Sequence, residues 1–474
     1  MSLIINESKI TMLKIYNTLS GQIEEFKGRE GKQVNLFVCG PTVYDLSHLG
    51  HARTYVAFDM FASYLKSQGY NVFYLQNITD LDDKIIARAK EKNISWQKLS
   101  RQFEKEYFAD VKTLKIKSVK KYARATEHIK EIISQVERLL EKGFAYKTDE
   151  GVYYDVSKFA EYGKLSKRTT QEAEDGVSRI DEAVEKRGKA DFCLWKLSED
   201  SEASWPSPWG IGRPGWHIED TAITEKYFGS QYDIHGAARD LIFPHHEAEI
   251  AQMEAISGES PLAKYWMHTG FLTIDGRKMS KSLGNFTTIR DFFKNNSPEV
   301  LRFIVFSSHY RSPIDFKDTA ITEAEANLEK LQALIQRLKN LKGAKRLTCK
   351  ALGALQDRFW GALEDDFNTP QAKAALFELI SLANEKISQG QLARTQAKEI
   401  LNFLKKINEI FLFLNFDKKA ATENIPQEIS ALIKARENAR QIKDWAKADE
   451  LRKEINQAGW QVEDSQDGQN LKKI

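Results

Sequence analysis

Cysteine is scarce in this chain, with Cys39, Cys193 and Cys349 far apart among 474 residues. An odd number of widely spaced cysteines excludes a disulfide-stapled framework and indicates a reducing compartment. No run of about 18 apolar residues occurs, which excludes a membrane-spanning helix of ordinary length. The first residues lack a basic segment followed by an apolar core, so they do not read as a secretory signal. We therefore expect a cytoplasmic protein without a membrane anchor, with Met12 as an alternative start.

An excess of one charge is also lacking. The chain has 70 basic and 67 acidic residues, which leaves a formal net charge of +3. A balance this close does not by itself indicate a nucleic-acid partner. Two runs, Lys112 to Arg124 and Arg337 to Lys350, are locally basic. Each is either a solvated face or linker, or a set of phosphate contacts that would attract a polyanion without reading its sequence.

What is present suits a large globular protein with a parallel sheet. The length allows two to four domains of about 100–200 residues each. An apolar run from Val34 to Cys39, a helical pattern closed by Gly69 and a second apolar run from Asn71 to Gln76 predict a strand, a helix and a strand. The handedness of such a unit places the loop after the first strand at the carboxyl edge of a parallel sheet, where ligands bind.

The rest of the chain divides into an inserted stretch, a second α/β stretch and a helical end. Residues from about 100 to 205 are charge-rich and then polar, and they look inserted. The segment from Trp205 to Gly215 is dense in proline, glycine and tryptophan and predicts a rigid irregular loop. The elements predicted beyond it are helices at 218–228 and 244–256 and strands at 232–234 and 270–274. From about residue 291 the periodicity is helical almost to the end, with amphipathic stretches from Ala320 to Leu341 and from Asp357 to Ile387.

The loop after the first strand carries a candidate phosphate-binding motif. It reads CGPTVYDLSHLGHART, and His48, Gly50 and His51 stand where the predicted helix begins. Glycine allows a close approach of the backbone, while two imidazoles and a helix N-terminus offer donors to a phosphate. Two surface histidines near a turn are the alternative when this motif is taken alone.

A second basic motif, DGRKMSKSLGN, carries Lys278, Ser280 and Lys281 between Gly276 and Gly284. Two lysines and their neighbouring hydroxyls suit a triphosphate whose charge must be neutralised during phosphoryl chemistry. A solvated basic loop is the alternative. The two motifs together are far more specific, because HxGH near the start and KMSKS near the end of one α/β domain mark class I aminoacyl-tRNA synthetases. The chain resembles that class.

Three residues form a candidate metal site. Cys39 stands at the end of the first strand, and His245 and Glu249 are four residues apart in PHHEAEIAQ, so that they share one face of a helix. A thiolate, an imidazole and a carboxylate are ligands that zinc accepts. An exposed surface pair is the alternative for His245 and Glu249.

With these motifs the chain resembles the cysteinyl-tRNA synthetase family from Met12 onward. The matching landmarks are FVCGPTVYDLSHLGHARTYVAFD, NITDLDDKII, SPWGIGRPGWHIED, DIHGAARDLIFPHHEAEIAQ, YWMHTG, KMSKSLGNF, HYRSPIDF and DDFNTPQA. The resemblance implies an α/β protein in which a Rossmann-type parallel-sheet catalytic domain carries an inserted domain and is followed by a helical bundle and a small C-terminal domain. The expected division is an N-terminal extension at 1–12, the first catalytic half at 13–100, a connective insertion at 101–205, the second catalytic half with the zinc site and KMSKS loop at 206–290, a stem-contact segment at 291–345, a helical bundle at 346–420 and an anticodon-binding domain at 421–474.

The resemblance implies one zinc ion per chain, held by Cys39, Asp220, His245 and Glu249. Many members have a second cysteine where this chain has Asp220, in a stretch that reads WHIEC there and WHIED here. Three anionic ligands and a neutral histidine around Zn²⁺ leave one net negative charge with either residue. The exchange therefore changes the softness of the ligand and not the charge of the site, and aspartate is an ordinary zinc ligand.

The resemblance also implies the residues that meet the substrates. Those implied for the cysteine pocket are Cys39, Thr42, Trp216 and His235, although core packing is the alternative for Trp216 alone. Those implied for ATP are His48, Gly50, His51, Gly236, Asp240, Lys278, Ser280 and Lys281, of which His48, His51, Lys278 and Lys281 are the expected catalytic groups. A stretch that is glycine-rich in the family reads GAAR in this chain.

The C-terminal segment resembles the end of the family that contacts the anticodon. Arg440, Trp445, Asp449 and Asp464 match positions that read bases by stacking and by hydrogen bonds to base edges. The alternative is a small helical hairpin with Trp445 packed inside.

The activity implied is ATP-dependent ligation of L-cysteine to its cognate tRNA through a cysteinyl-adenylate, with Mg²⁺ accompanying ATP, by a cytoplasmic monomer. Zinc would bind the substrate thiol as a thiolate, which the hydroxyl of serine cannot match, so that a separate editing domain is not needed. One rival is a related enzyme that ligates activated cysteine to a small amine, which would lack the anticodon end. A second rival is a catalytically silent tRNA-binding paralogue, against which the intact HLGH and KMSKS motifs argue.

Overall fold

A computed structural model describes residues 12–168, 186–198, 203–274, 276–279, 286–341, 350–417, 426–465 and 468–473, with the backbone alone for Lys278, Gln427 and the residues after Val462. Two compact units are formed. The first comprises Met1–Ala326, Asp357–Ala375 and Lys406–Phe413, and the second comprises Asn327–Gln356, Leu376–Lys405 and Leu414–Ile474. Among the helices of the described residues, none has the length and apolar character needed to cross a membrane.

The bounds of the elements follow the chain. The strands are β1 (Lys14–Asn17), β2 (Gln22–Glu25), β3 (Gln33–Val38), β4 (Asn71–Ile78), β5 (Lys121–Arg124), β6 (Ala145–Lys147), β7 (Gly151–Tyr154), β8 (Phe192–Leu197), β9 (Trp205–Ser207), β10 (Gly210–Pro214), β11 (Tyr232–Ala238), β12 (Ala263–Thr269), β13 (Leu272–Ile274), β14 (Arg277–Lys278), β15 (Ile314–Asp315), β16 (Trp460–Ser465) and β17 (Gly468–Lys473). The α-helices are α1 (Leu49–Ser67), α2 (Asp83–Glu91), α3 (Trp96–Thr113), α4 (Ile129–Glu141), α5 (Ile218–Phe228), α6 (Glu247–Ser257), α7 (Ile289–Phe293), α8 (Pro298–Phe306), α9 (Asp318–Lys339), α10 (Lys350–Glu364), α11 (Thr369–Ser388), α12 (Arg394–Phe411), α13 (Gln427–Gln441) and α14 (Trp445–Gln457).

A five-stranded parallel sheet of order β12-β11-β3-β4-β5 lies in the first unit. The predicted strand, helix and strand are β3, α1 and β4, which confirms a parallel sheet. The chain proceeds from β3 to β4 and β5 on one side, and later adds β11 and β12 on the other. The strand order therefore reverses between β3 and β11, which is the point at which sheets of this kind bind ligands.

Local sequence explains where α1 begins and ends. The side chain of His48 accepts a hydrogen bond from the backbone N–H of Gly50, and the side chain of His51 accepts one from the N–H of His48. These bonds satisfy backbone donors that a helix start leaves unpaired. Beyond the other end, Gly69 has a φ of +83°, a left-handed conformation that favours glycine.

A second, antiparallel sheet of order β6-β7-β8-β10-β9 combines strands of the inserted stretch with β9 and β10, which extend beyond its predicted end at residue 205. The irregular loop predicted from Trp205 to Gly215 is wrong, because β9 and β10 form a hairpin there. Gly210 has a φ of +130°, which lets the chain reverse, and Trp205 and Trp209 pack against the core. Strand β5 lies inside the stretch that looked inserted, yet it joins the parallel sheet beside β4.

Two further elements differ from the sequence-based expectation. Strand β12 was not predicted, since Lys264 and His268 interrupt its apolar pattern, but it forms the edge of the parallel sheet beside β11. The helical stretch expected from Asp357 to Ile387 is divided between α10 and α11. Asp366 and Phe367 have φ values of +56° and +49°, and left-handed backbone ends a helix.

In the second unit, α13 and α14 pack with the antiparallel hairpin of β16 and β17. The shared core consists of Ile429, Ile455, Trp460 and Val462. Apart from the two-residue strand β15, the regular elements of the described residues from α7 to α14 are helices, and a two-stranded sheet follows them.

Candidate active site and metal centre

Four potential metal ligands meet at the carboxyl edge of the parallel sheet. They are Cys39, Asp220, His245 and Glu249, and their ligand atoms all lie within 4.8 Å of one another. Cys39 directly follows β3, and Asp220 and Glu249 lie in the first turns of α5 and α6. Their exposed fractions are 6%, 1%, 2% and 0% in that order, so the alternative of an exposed pair for His245 and Glu249 is wrong.

His245 lies between the two carboxylates. Its Nε2 is 3.1 Å from Oδ2 of Asp220 and 3.0 Å from Oε1 of Glu249. The ring of Trp216 stacks on the His245 ring with centroids 4.4 Å apart. The other ring nitrogen of His245, Nδ1, lies 2.8 Å from Nδ1 of His217. Stacking and hydrogen bonding therefore orient this imidazole toward the two carboxylates.

Two more histidines contact the thiol. Nε2 of His235 and Nε2 of His246 each lie 3.3 Å from Sγ of Cys39, and with Glu249 they form a second group of potential ligands. His246 is bonded in turn to His268, with 2.9 Å between Nδ1 and Nε2. His246 is not among the predicted ligands, although it stands beside His245 in the FPHHE landmark, because helical spacing favours the i and i+4 pair.

The electrostatics of the group suit a cation. Burial raises the pKa of the Cys39 thiol well above its usual value, and the carboxylates of Glu249 and Asp220 raise it further. Burial also raises the pKa of Glu249 to about 7. For His245, burial opposes the charged form, but Glu249 and Asp220 raise its pKa to about 10.

Three carboxylate oxygens in the group are buried without a hydrogen-bond partner among the described residues. They are Oδ1 of Asp220 and both oxygens of Glu249, whose Oε1 lies near His245 without good hydrogen-bond geometry. Buried polar atoms are nearly always satisfied, and each exception needs an explanation. A metal ion held here would satisfy these oxygens, and the thiol and imidazole beside them complete a donor set that zinc accepts.

Residues predicted for the cysteine pocket lie around this group. Thr42 and Trp216 line a cavity of about 1040 Å³ that extends into the antiparallel sheet. Trp216 is half-buried and lines the cavity, so plain core packing does not describe it. His235 is fully buried beside Cys39, with its ring stacked on Trp266 at 4.3 Å.

The first motif is folded tightly at the start of α1. The rings of His48 and His51 stack with centroids 3.9 Å apart, and both residues are half-buried. Burial lowers the pKa of His51 well below its usual value, and His48 lowers it further, which favours a neutral imidazole. A Cβ on Gly50 would lie 2.8 Å from the His48 ring, so a side chain at this position would displace the ring that caps α1. Half-burial and mutual stacking exclude two independent surface histidines.

The segment with the second motif approaches the first motif. Lys278 is described by its backbone in β14, whereas Ser280 and Lys281 lie outside the described residues. After the motif, the Phe286 ring meets the His48 ring edge-on at 5.3 Å, and Thr288 forms a backbone bridge with His48. The described residues that follow the second motif thus contact the first motif.

The two residues predicted near the nucleoside, Gly236 and Asp240, differ in burial. Gly236 is buried in β11, where a Cβ would lie 2.5 Å from the ring of Phe58 on α1, and its carbonyl accepts from the N–H of Cys39 at 3.1 Å. Asp240 is exposed in the short turn after β11.

The predicted anticodon residues lie in the second unit. Trp445 is 58% exposed, so the alternative in which it packs inside a helical hairpin is wrong. The guanidinium of Arg440 lies 5.9 Å from the centre of its ring. Asp449 is exposed on α14, and Asp464 is described by its backbone in β16.

Comparison with known proteins gives the family. Residues 25–326 match the catalytic domain of class I (C) tRNA synthetases, 358–415 the DALR domain and 422–470 the cysteinyl-tRNA ligase anticodon binding domain. A cysteine-tRNA ligase of Methanococcus maripaludis is 44% identical, with coverage of 98% of this chain and 100% of that protein. One of Thermococcus gammatolerans is 43% identical, with coverage of 98% and 99%. The chain belongs to the cysteine-tRNA ligase family. The sequence-based recognition of this family, and of a class I aminoacyl-tRNA synthetase, is confirmed.

Solved structures of other class I synthetases share the fold of this cysteine-tRNA ligase family member. A Mycobacterium tuberculosis methionyl-tRNA synthetase in complex with methionyl-adenylate aligns with a TM-score of 0.60 at 16% identity, covering 80% of this chain and 89% of that one. The LeuRS of an Agrobacterium radiobacter K84 ternary complex aligns with a TM-score of 0.62 at 11% identity, covering 82% and 85%. At these identities the likeness concerns the fold alone.

Proposed function

We propose that the chain ligates L-cysteine to its cognate tRNA through a cysteinyl-adenylate, with a zinc ion as the receptor for the substrate thiol. The observation that carries this proposal is the buried group of Cys39, Asp220, His245 and Glu249, beside the cavity that Thr42 and Trp216 line. One zinc per chain would be held by these four residues. When bound, zinc would stabilise the substrate thiolate, which distinguishes cysteine from serine.

The residues around the cavity would hold the amino acid for reaction. Trp216 would cover the pocket while its ring keeps His245 oriented, and Thr42 would line the opposite wall. His235 would form the floor beside Cys39. The carboxylate of cysteine then attacks the α-phosphate of ATP, a phosphorus–oxygen bond forms, and pyrophosphate leaves.

Positioning and electrostatic stabilisation would supply the rate enhancement, since no enzyme nucleophile is required. His48, His51, Lys278 and Lys281 would act on the phosphates, with Mg²⁺ accompanying ATP. A neutral His51 can still donate one N–H to a phosphate oxygen. The backbone bridge between His48 and Thr288, which follows the second motif, supports joint action of the two motifs on one triphosphate.

Four further residues complete the ATP assignment. Gly50 would bring the backbone close to the phosphates, and Ser280 would offer a hydroxyl beside the lysines. Gly236 and Asp240 would lie near the nucleoside, which the position of β11 at the reversal of strand order supports. In the second step a ribose hydroxyl of the terminal adenosine of the tRNA attacks the activated carbonyl and AMP leaves.

The anticodon assignment also stays a proposal. Exposed Trp445 with Arg440 beside its ring would form a stacking platform for bases, and Asp449 and Asp464 would accept hydrogen bonds from base edges. The match of residues 422–470 to an anticodon-binding domain argues against a ligase for small amines, which would lack this end. The domain division given above stays part of this proposal, except that β5 belongs with the parallel sheet and β10 with the antiparallel sheet. A monomer and a cytoplasmic location are parts of the proposal as well.

One assay tests the proposal as a whole. Cysteine-dependent exchange of pyrophosphate into ATP is measured on zinc-replete and on chelated protein, with serine as the control substrate. We expect exchange with cysteine alone, and its loss after chelation with recovery on adding zinc. Equal exchange with serine, or full activity in metal-free protein, would contradict the role given to zinc.

A further inference from the structure

Arg53 lies two residues beyond the HLGH motif and is buried, with 1% of its surface exposed. Its guanidinium donates to four backbone carbonyls, those of Gly270, Phe271, Tyr310 and Ser312. Nη1 is 2.7 Å from the Phe271 oxygen and Nη2 is 3.1 Å from the Tyr310 oxygen. Among the described residues no carboxylate pairs with it, and burial lowers its pKa to about 10, so the side chain stays charged at neutral pH. Its partners are thus two stretches of backbone.

Those two stretches form the base of the segment that carries KMSKS. Gly270 and Phe271 connect β12 to β13, and Ser312 precedes β15, which pairs with β13. Strand β13 continues into β14, where the motif begins, and Oδ1 of Asp315 accepts from the N–H of Gly276 at 2.8 Å. The stretches touch at Gly270, where a Cβ would lie 2.6 Å from backbone atoms of the 311–312 stretch.

The other end of the segment is held by the same motif. The N–H of Leu49 donates to the carbonyl of Thr287 at 3.2 Å, and the N–H of Ile289 donates to the carbonyl of Ser47 at 3.0 Å. Residues 47–53 therefore contact the chain both before and after the KMSKS motif.

We propose that Arg53 is a positioning residue for adenylate formation, which sets the base of the KMSKS segment relative to the HLGH motif so that both act on one triphosphate. This proposal rests on the function proposed above for the two motifs. Contacts that are right in type but displaced by about 1 Å lose on the order of 10²-fold in rate. A single ammonium cannot reproduce the planar fork that reaches both stretches of backbone.

The first test is Arg53→Lys, which keeps the charge. We expect kcat of cysteine-dependent pyrophosphate exchange to fall roughly 10- to 100-fold, with the KM for cysteine and the zinc content unchanged. Thr54→Val is the matched control. Thr54 is the next residue of α1, is also buried, and bonds to Thr269 of β12 at 2.8 Å, so its loss should leave kcat near the wild-type value.

A second variant guards against misfolding of the first. Gly270→Ala keeps Arg53 but would push apart the two stretches that it joins, and should show the same selective fall in kcat. Thermal melting confirms that each variant folds. If the zinc content falls and the KM for cysteine rises along with the fall in kcat, Arg53 has a general structural role and the proposal is overturned.

The decisive measurement is a double-mutant cycle with Lys281→Ala on the rate of adenylate formation. If Arg53 acts through the loop, Arg53→Lys should cost less in the Lys281→Ala background than in the wild type. If the rate reduction in the double variant equals the product of the two single reductions, the two residues act independently. That result overturns the proposal and leaves the function of the loop intact. If Lys281→Ala alone forms adenylate at the wild-type rate, the loop's function is wrong, and the role of Arg53 is overturned with it.

Discussion

Replacement of Asp220 is the sharpest test of the metal centre, because this residue is where the chain departs from many members of its family. Asp220 is 1% exposed, Oδ2 lies 3.1 Å from His245, and Oδ1 has no hydrogen-bond partner among the described residues. Asp220→Ala removes one of four candidate ligands, whereas Asp220→Cys puts an anionic thiolate in its place, the ligand that the family resemblance implies for many members. We expect the first variant to lose zinc and the second to keep it.

The magnitude follows from the number of ligands. Protein zinc sites bind with apparent free energies of about 10–16 kcal/mol, so an equal share for four ligands is about 2.5–4 kcal/mol each. Water can take the open position and recover part of that share. A net loss near 2.7 kcal/mol corresponds to a Kd for zinc raised about 100-fold. Asp220→Asn, which keeps the shape and removes the charge, should fall between alanine and cysteine.

The assay is competition for zinc with a chelator of known affinity, together with metal analysis and the KM for cysteine. Glu219→Gln is the matched control, since Glu219 is adjacent and buried but accepts a hydrogen bond from Thr79 and lies outside the metal group. It should retain zinc. Wild-type zinc affinity and an unchanged KM for cysteine in Asp220→Ala would remove Asp220 from the site and refute the reasoning.

Three further predictions concern other parts of the chain. Lys281→Ala should lower kcat for adenylate formation by on the order of 10²-fold with zinc retained, and an unchanged pre-steady-state rate would assign the loop another role. Deleting Ile425 to Ile474 should spare pyrophosphate exchange but sharply reduce tRNA charging, and a parallel fall of both activities would contradict this. Trp445→Ala should raise the KM for tRNA alone, since stacking is worth about 1–3 kcal/mol per base. Gly236→Ala should destabilise the protein by about 1–3 kcal/mol, because its methyl would meet the Phe58 ring, and an unchanged melting temperature by circular dichroism would show that the sheet relaxes.

Short-range patterns explain why much of the fold could be predicted. The apolar run of β3, the periodicity of α1 and the glycine after it are properties of neighbouring residues, and the structure agrees with them. The same reasoning failed for β12, whose polar residues hide a strand that pairing with β11 stabilises. It also failed for the β9 and β10 hairpin, where tryptophans that suggested irregularity cover the core of a sheet.

The candidate site shows the same division more sharply. The sequence by itself determined which chemical groups are present, namely the HLGH and KMSKS motifs, the thiol after β3, and the i and i+4 spacing of His245 and Glu249, of which His245 lies in the turn just before α6. The tertiary structure alone decided that His246 meets Cys39, from which it is 207 positions away, and that Arg53 meets carbonyls more than 200 positions along the chain. No local pattern records such contacts, because they arise when separate strands and helices pack together and bring distant polar groups into one buried space.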